Sequence, residues 1–172
     1  MFSDCHFIDF PKAEDHRGWF HKSFSDEILQ KSGLEFQVAE SYTSLSRENV
    51  LRGMHFQVPP YQHGKMVTVL AGSIFDVVLD LRKKSQTFCE ARGVMLTAHS
   101  GKSLFIPEGF AHGFLAMAEN TIVNYVVSSS YKPQADDGVL WSSLDIQWPV
   151  TNPILSERDK QFVPLNDYKS PF

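Results

Sequence analysis

The sequence is poor in cysteine: among 172 residues there are two, Cys5 and Cys89. Two thiols cannot make a metal box alone. They allow one disulfide at most, and free thiols in a reducing cytoplasm are the expectation. No His-x-His or His-x-x-x-His pair occurs, and His55, His63 and His112 stand apart, so no metal is expected. Long uncharged apolar runs are missing, which argues against a transmembrane helix. The opening Met-Phe-Ser-Asp-Cys-His lacks the basic and apolar regions of a signal peptide. Positive charge is also short. A net charge of -4 argues against wrapping a nucleic-acid backbone, although a few local cations can still hold a small anion. Internal repeats, low-complexity blocks and linkers are absent, so residues 1–172 read as a single domain with one sizeable core.

Aromatics, by contrast, are plentiful at 13%, with 14 phenylalanines, as suits a β-rich protein. Residues 5–10 read as an edge strand and Asp15-His16-Arg17-Gly18 as a turn into a short strand over 19–24. Ser25-Asp26-Glu27 caps a short helix to Ser32, stopped by Gly33. Residues 36–46 read as strand. Beyond residue 50, short apolar runs cover 50–56, 65–70, 73–81, 91–96, 103–106, 111–117 and 121–127. Turn residues such as Pro59-Pro60, Ala71-Gly72 and Pro107-Glu108-Gly109 separate them. Many short strands at regular turns predict an all-β antiparallel sandwich or small barrel. The proline-containing tail from Trp148 is expected to wrap over the body. Within 73–81, Asp76, Val78 and Asp80 share one parity and Phe75, Val77 and Leu79 the other. Asp76 is a site candidate if its face is interior. Asp80 fits a solvated outer face equally well.

Chemistry concentrates in Leu51-Arg52-Gly53-Met54-His55-Phe56-Gln57 and in Lys65 ten residues after His55. A histidine between apolar residues is often a core residue satisfied by backbone. Beside a guanidinium and an ammonium it also suits an anionic substrate and a reaction that moves a proton.

Three longer motifs sharpen the choice: Asp15-His16-Arg17-Gly18-Trp19-Phe20, the Leu51–Gln57 stretch, and Ile106-Pro107-Glu108-Gly109-Phe110-Ala111-His112-Gly113-Phe114. With Gly64-Lys65, Asp80-Leu81-Arg82, the Tyr125/Tyr131 pair and Leu155-Ser156-Glu157-Arg158-Asp159, the chain closely resembles the dTDP-4-dehydrorhamnose 3,5-epimerase family. The likeness runs from about residue 15 to 159. It implies a cupin-type jelly roll (double-stranded β-helix) with a few short peripheral helices, working without a cofactor as a cytoplasmic homodimer that exchanges its N-terminal segment. The implied substrate is a nucleotide-diphospho-4-keto-6-deoxy sugar, with neither nucleic acid nor membrane as partner. The resemblance places the base on His55, its orienting carboxylate on Asp159, the oxyanion-stabilising cation on Lys65 and the proton donor on Tyr125. Arg17 and Arg52 match residues that hold the diphosphate or neighbouring atoms. Phe20, His112 and Arg158 match substrate-contacting positions, and Tyr131 matches the ring that stacks on the base. Asp136 stands where the family has glutamate, and Arg158 where it has lysine.

Other departures fall in the binding region. Lys22 replaces a glutamate, and Glu40-Ser41-Tyr42 replaces Gln-Asp-Asn. A lysine is donor-only and cannot accept from thymine N3–H, so the sequence leaves the nucleotide open, dTDP or another such as CDP. It also leaves open the choice between inversion at carbon 3, carbon 5 or both. A 3,4-ketoisomerase and a non-catalytic sugar-binding cupin are the remaining alternatives. One structural expectation follows from parity. Arg52 and His55 are three apart and on a regular strand would face opposite ways, yet the implied roles need both at one substrate. Gly53 is therefore expected to mark a bulge or twist.

Overall fold

The apolar runs pair into two five-stranded sheets, described by a computed structural model over all 172 residues. In chain order the strands are β1 (His6–Asp9), β2 (Lys12–Asp15), β3 (Gly18–His21), β4 (Glu40–Ser46), β5 (Leu51–Gln57), β6 (Lys65–Ala71), β7 (Ser73–Asp80), β8 (Ala91–Thr97), β9 (Lys102–Ile106), β10 (Phe110–Ala116), β11 (Thr121–Val127) and β12 (Asp136–Gly138). One sheet has the order β1-β9-β6-β11-β4, the other β12-β5-β10-β7-β8, and β2-β3 forms a separate hairpin. Every pairing within them is antiparallel. From β4 onward the chain crosses between the sheets at nearly every connection, giving the jelly roll. Crossing in this way brings residues far apart in sequence into one interior.

Three apolar clusters arise from the alternation. Val67, Val69, Val78, Leu104, Phe114 and Val123 fill the space between the sheets. The outer face of the β5-containing sheet, with Phe56, Val77 and Leu79, is covered by Leu144, Trp148, Leu165, Tyr168 and Phe172 of the tail. Thus the tail does wrap the body, and Tyr168 and Phe172 set their rings against Phe56 at 5.6 and 5.9 Å. Helix α1 (Asp26–Lys31) lays Leu29 over the outer face of the other sheet, against Phe10, Phe36, Met66 and Phe105.

Several local expectations change. Residues 36–39 are not strand, because Phe36 turns in to pack edge-on against Phe105. Ser25 occupies the N-cap position of α1, but its hydroxyl makes no capping bond. Strands β2 and β12 carry no strand signal in the sequence, because Lys-Ala-Glu-Asp has no apolar alternation and Asp-Asp-Gly has little strand propensity. Asp80 does not sit on a solvated face. It is fully buried and accepts hydrogen bonds from Arg82, Ser85 and Thr87. Asp76 shares that interior face, which meets the condition for a site role.

Candidate active site

Strand β5 carries the base and is shaped by one glycine. Opposite it, two steps along β10, from His112 to Phe114, span three along β5, from His55 to Arg52. The extra residue is a bulge, and Gly53 within it takes φ +135°. A Cβ on Gly53 would lie 2.5 Å from the Cα of Gly113, so no other residue fits. The bulge resets the parity as expected: Arg52 and His55 line the same cavity, about 400 Å³ in volume. Arg52 lies along β4, donating from Nε to Ser46 Oγ at 3.0 Å and from Nη2 to the Leu45 carbonyl at 3.1 Å.

His55 is held from behind. Its Nε2 is 2.9 Å from Asp159 Oδ1, while Asp159 Oδ2 accepts the Gly53 N–H at 3.0 Å. Burial would raise the Asp159 carboxyl, yet the hydrogen bonds from His55 and Gly53 hold it at about 2. For His55, burial is the main influence and lowers its pKa below the usual imidazole value. The Asp159 contact opposes this, and the charges of Arg158 and Lys65 reinforce it. The imidazole is therefore a free base at neutral pH. Arg158 Nη2 also approaches His55 Nε2, at 2.7 Å, while its other nitrogens meet Asp136 and Asp159. One nitrogen cannot donate to the carboxylate and accept from the guanidinium together. The ionised Asp159 is the stronger partner, so Nε2 carries the hydrogen and Nδ1 keeps the lone pair.

Lys65 is buried at the start of β6 and donates from Nζ to the His55 carbonyl at 3.0 Å. Burial lowers its pKa to about 8, with Asp136 and Asp76 opposing, which leaves it cationic at neutral pH. Tyr125 faces the same interior from β11, and burial raises its phenol well above the ordinary value, so it keeps its proton. Neighbouring His112 is bonded through Nε2 to Asp76 Oδ2 at 2.8 Å.

The cavity thus gathers most of the residues singled out from the sequence. Glu40 and Tyr42 reach it from β4, Arg52 and His55 from β5, Lys65 from β6, His112 from β10, and Tyr125 from β11. Tyr131, Asp136 and Arg158 close one rim, where the Tyr131 hydroxyl donates to Asp136 at 3.2 Å. Asp159 lies behind His55, bordering a second depression with Arg52 and Arg158. Arg17, Phe20 and Lys22 do not line the cavity of their own chain. Arg17 pairs with Asp15 at 2.6 Å on the exposed hairpin, and Arg17 and Phe20 border a separate surface depression. Two further lining residues were given no role from the sequence, although Gln57 closes the Leu51–Gln57 motif. His63 accepts at Nδ1 from Gln57 Nε2 at 2.9 Å, and burial with the nearby charges of Lys65 and His112 takes its pKa to about 3. Gln57 itself spans the rim by accepting the Lys132 N–H at 2.6 Å. No three His, Cys, Asp or Glu side chains converge as a metal-ligand set.

A half-buried His–Asp pair, a lysine and a phenol inside a jelly roll are the groups that a cupin-type isomerase working by proton transfer needs. The family model for dTDP-4-dehydrorhamnose 3,5-epimerase matches residues 1–167, and the chain belongs to that family. A dTDP-4-dehydrorhamnose 3,5-epimerase from Methanothermobacter thermautotrophicus is 45% identical over 158 residues, covering 89% of this chain and 85% of the relative. The Bacillus anthracis enzyme, crystallised with TDP and PPi bound, is 39% identical with a TM-score of 0.90 over 95% of each chain. The Legionella pneumophila enzyme, in complex with dTDP-4-keto-L-rhamnose, is 31% identical with a TM-score of 0.91 over 98% of this chain and 91% of that one.

Proposed function

We propose that this enzyme inverts carbons 3 and 5 of a dTDP-linked 4-keto-6-deoxy sugar. The observation that carries the reading is His55, backed by Asp159, with the Lys65 ammonium 3.0 Å from its carbonyl in one cavity with Tyr125. Hydrogens on carbons 3 and 5 are acidified by the ketone between them. His55 removes one, and the resulting charge gathers on O4, where Lys65 stabilises it in a site of low dielectric. Tyr125, across the interior on the other sheet, supplies a proton to the opposite face. Base and acid on opposite walls invert a carbon, and the arrangement serves each flanking carbon in turn. Arg52 and Arg158 are the cations at hand for the diphosphate, a task suited to guanidinium forks.

The enzyme is proposed to act as a cytoplasmic homodimer in which the β2–β3 hairpin lends Arg17 and Phe20 to the neighbouring site. Exposure of this hairpin, and the absence of Arg17 and Phe20 from the lining of their own chain's cavity, support that reading. The two thiols, both free, suit a reducing compartment. Incubation with the 4-keto nucleotide sugar in heavy water tests the chemistry. Deuterium at carbons 3 and 5 of an inverted product is expected. Label at one carbon marks a single-centre epimerase, a moved carbonyl a ketoisomerase, and an unlabelled, unchanged sugar a binding protein.

A further inference from the structure

Tyr42 and Tyr125 are direct partners across β4 and β11. Their rings stack with centroids 4.8 Å apart and planes 21° from parallel. The Tyr125 ring also meets the edge of His112, at 6.1 Å and 70°, and Asp76 holds that imidazole in place. Tyr125 is consequently 7% exposed, whereas Tyr42, on the edge strand of its sheet, is 42% exposed and lines the cavity. The Tyr42 hydroxyl has no hydrogen-bonding partner within the protein, so what it offers Tyr125 is the face of its ring.

A phenol that protonates a carbon must keep its oxygen in line with the reacting centre. A rotamer hop at χ1 carries a tyrosine oxygen several ångströms, and its χ2 well is broad. A misplacement of about 1 Å is enough to cost roughly a hundredfold in rate. His112 meets Tyr125 at an edge, and the apolar cluster between the sheets packs the rest of its body. Tyr42 adds the stacked aromatic face, on a ring that also lines the cavity.

We propose that Tyr42 is a positioning residue, whose ring holds the Tyr125 phenol so that re-protonation falls on the face that inverts the carbon. The inference rests on the epimerase reading above. In the forward step the C–H bond breaks, its proton passes to His55 and its electron pair to the enolate. A new C–H bond then takes the phenol proton, leaving phenolate and imidazolium, which solvent re-equilibrates. With the phenol displaced, the imidazolium exchanges its proton with solvent and returns a deuteron to the original face. The substrate then gains label while keeping its configuration.

The test compares, in heavy water, the rate of label entry into unchanged substrate with the rate of inverted-product formation. In Tyr42→Leu and Tyr42→Asn the ratio of retained to inverted label is expected to rise by roughly tenfold, with Tyr42→Phe restoring the wild-type ratio. Leucine keeps much of the packing volume without a flat face, so a folded variant is available even if asparagine disrupts the edge strand. An unchanged ratio in Tyr42→Leu, with only KM raised, overturns the proposal in favour of a binding role. A Tyr42→Phe enzyme that behaves like Tyr42→Leu overturns it too, because the hydroxyl would then be the active feature. Wild-type enzyme without any exchange marks failure of the epimerase reading itself, and normal inversion by Tyr125→Phe marks failure of the donor assignment.

Discussion

Two opposing influences meet at His55. Burial and the cations Arg158 and Lys65 strip its proton, while Asp159 favours keeping one. The outcome is a neutral imidazole whose Nδ1 lone pair is free to act. His55→Ala is expected to lower solvent exchange by about 10²–10⁴-fold with nucleotide affinity largely kept, because the base acts on the transition state more than on ground-state binding. Near-normal exchange in that variant would remove the assignment. The pH profile of kcat/KM should be a bell. Its acid limb lies below 6.5, where His55 becomes protonated, and its alkaline limb lies near 8, where Lys65 loses its charge. Asp159→Asn removes the influence that raises the His55 pKa, so the acid limb should move to lower pH while kcat drops. Lys65→Met should abolish the alkaline limb and cost about 10²–10³-fold in kcat. At this scale motifs and the family resemblance singled out His55, Lys65, Tyr125 and Asp159, and the structure brings His55, Lys65 and Tyr125 to one cavity with Asp159 behind His55. The sequence said little of Gln57 and His63. Their roles exist only once β5, the Tyr61–His63 turn and the segment at Lys132 converge, and no spacing along the chain encodes that meeting.

Among the elements, β5 departs most from regularity, and the departure is useful. Parity required an extra residue near Gly53, and the bulge supplies it, turning Arg52 toward the cavity and presenting the Gly53 N–H to Asp159. Gly53→Ala should be costly twice over. The positive φ strains any side chain, and the new Cβ meets the Gly113 Cα at 2.5 Å and the His112 carbonyl at 3.0 Å. A loss of about 2–5 kcal/mol is expected from denaturant unfolding, with exchange reduced even in the fraction that remains folded. Gly33→Ala is the control, since its φ is +74° but nothing lies within 4 Å. Strain alone should cost it about 1–2 kcal/mol, with kinetics unchanged. Equal effects of the two would show that the bulge does not position the site. Strands with apolar alternation, and the helix ended by Gly33, were legible in advance. β2 and β12 were not, because their pairing is imposed by neighbours rather than by their own side chains. The pairing of Asp76 with His112 was half legible: parity put Asp76 on one face, but only the tail on the other face shows which side is interior.

For the molecule as a whole, the β2–β3 hairpin is the part that one chain leaves unexplained. Trp19 is 52% exposed and Phe20 63% exposed on a two-stranded ribbon, a unit that is marginal in water without further packing. Arg17, exposed and paired with Asp15, lies on the same hairpin and does not line its own chain's cavity. The proposed symmetric dimer would account for all three, since each hairpin would cover its neighbour and place Arg17 at the neighbour's cavity. The arrangement has a consequence that a monomeric site lacks. Arg17→Ala dimers and His55→Ala dimers should each be nearly inactive. After dissociation, mixing and reassociation, a mixed dimer holds one site with an intact His55 from one chain and an intact Arg17 from the other. Equal mixing should therefore recover about a quarter of wild-type activity, because about half the dimers are mixed and each has one working site of two. Activity should also fall on dilution in step with dissociation measured by light scattering or sedimentation. If mixing recovers nothing although mixed dimers form, Arg17 serves the cavity of its own chain and the hairpin must fold back to reach it.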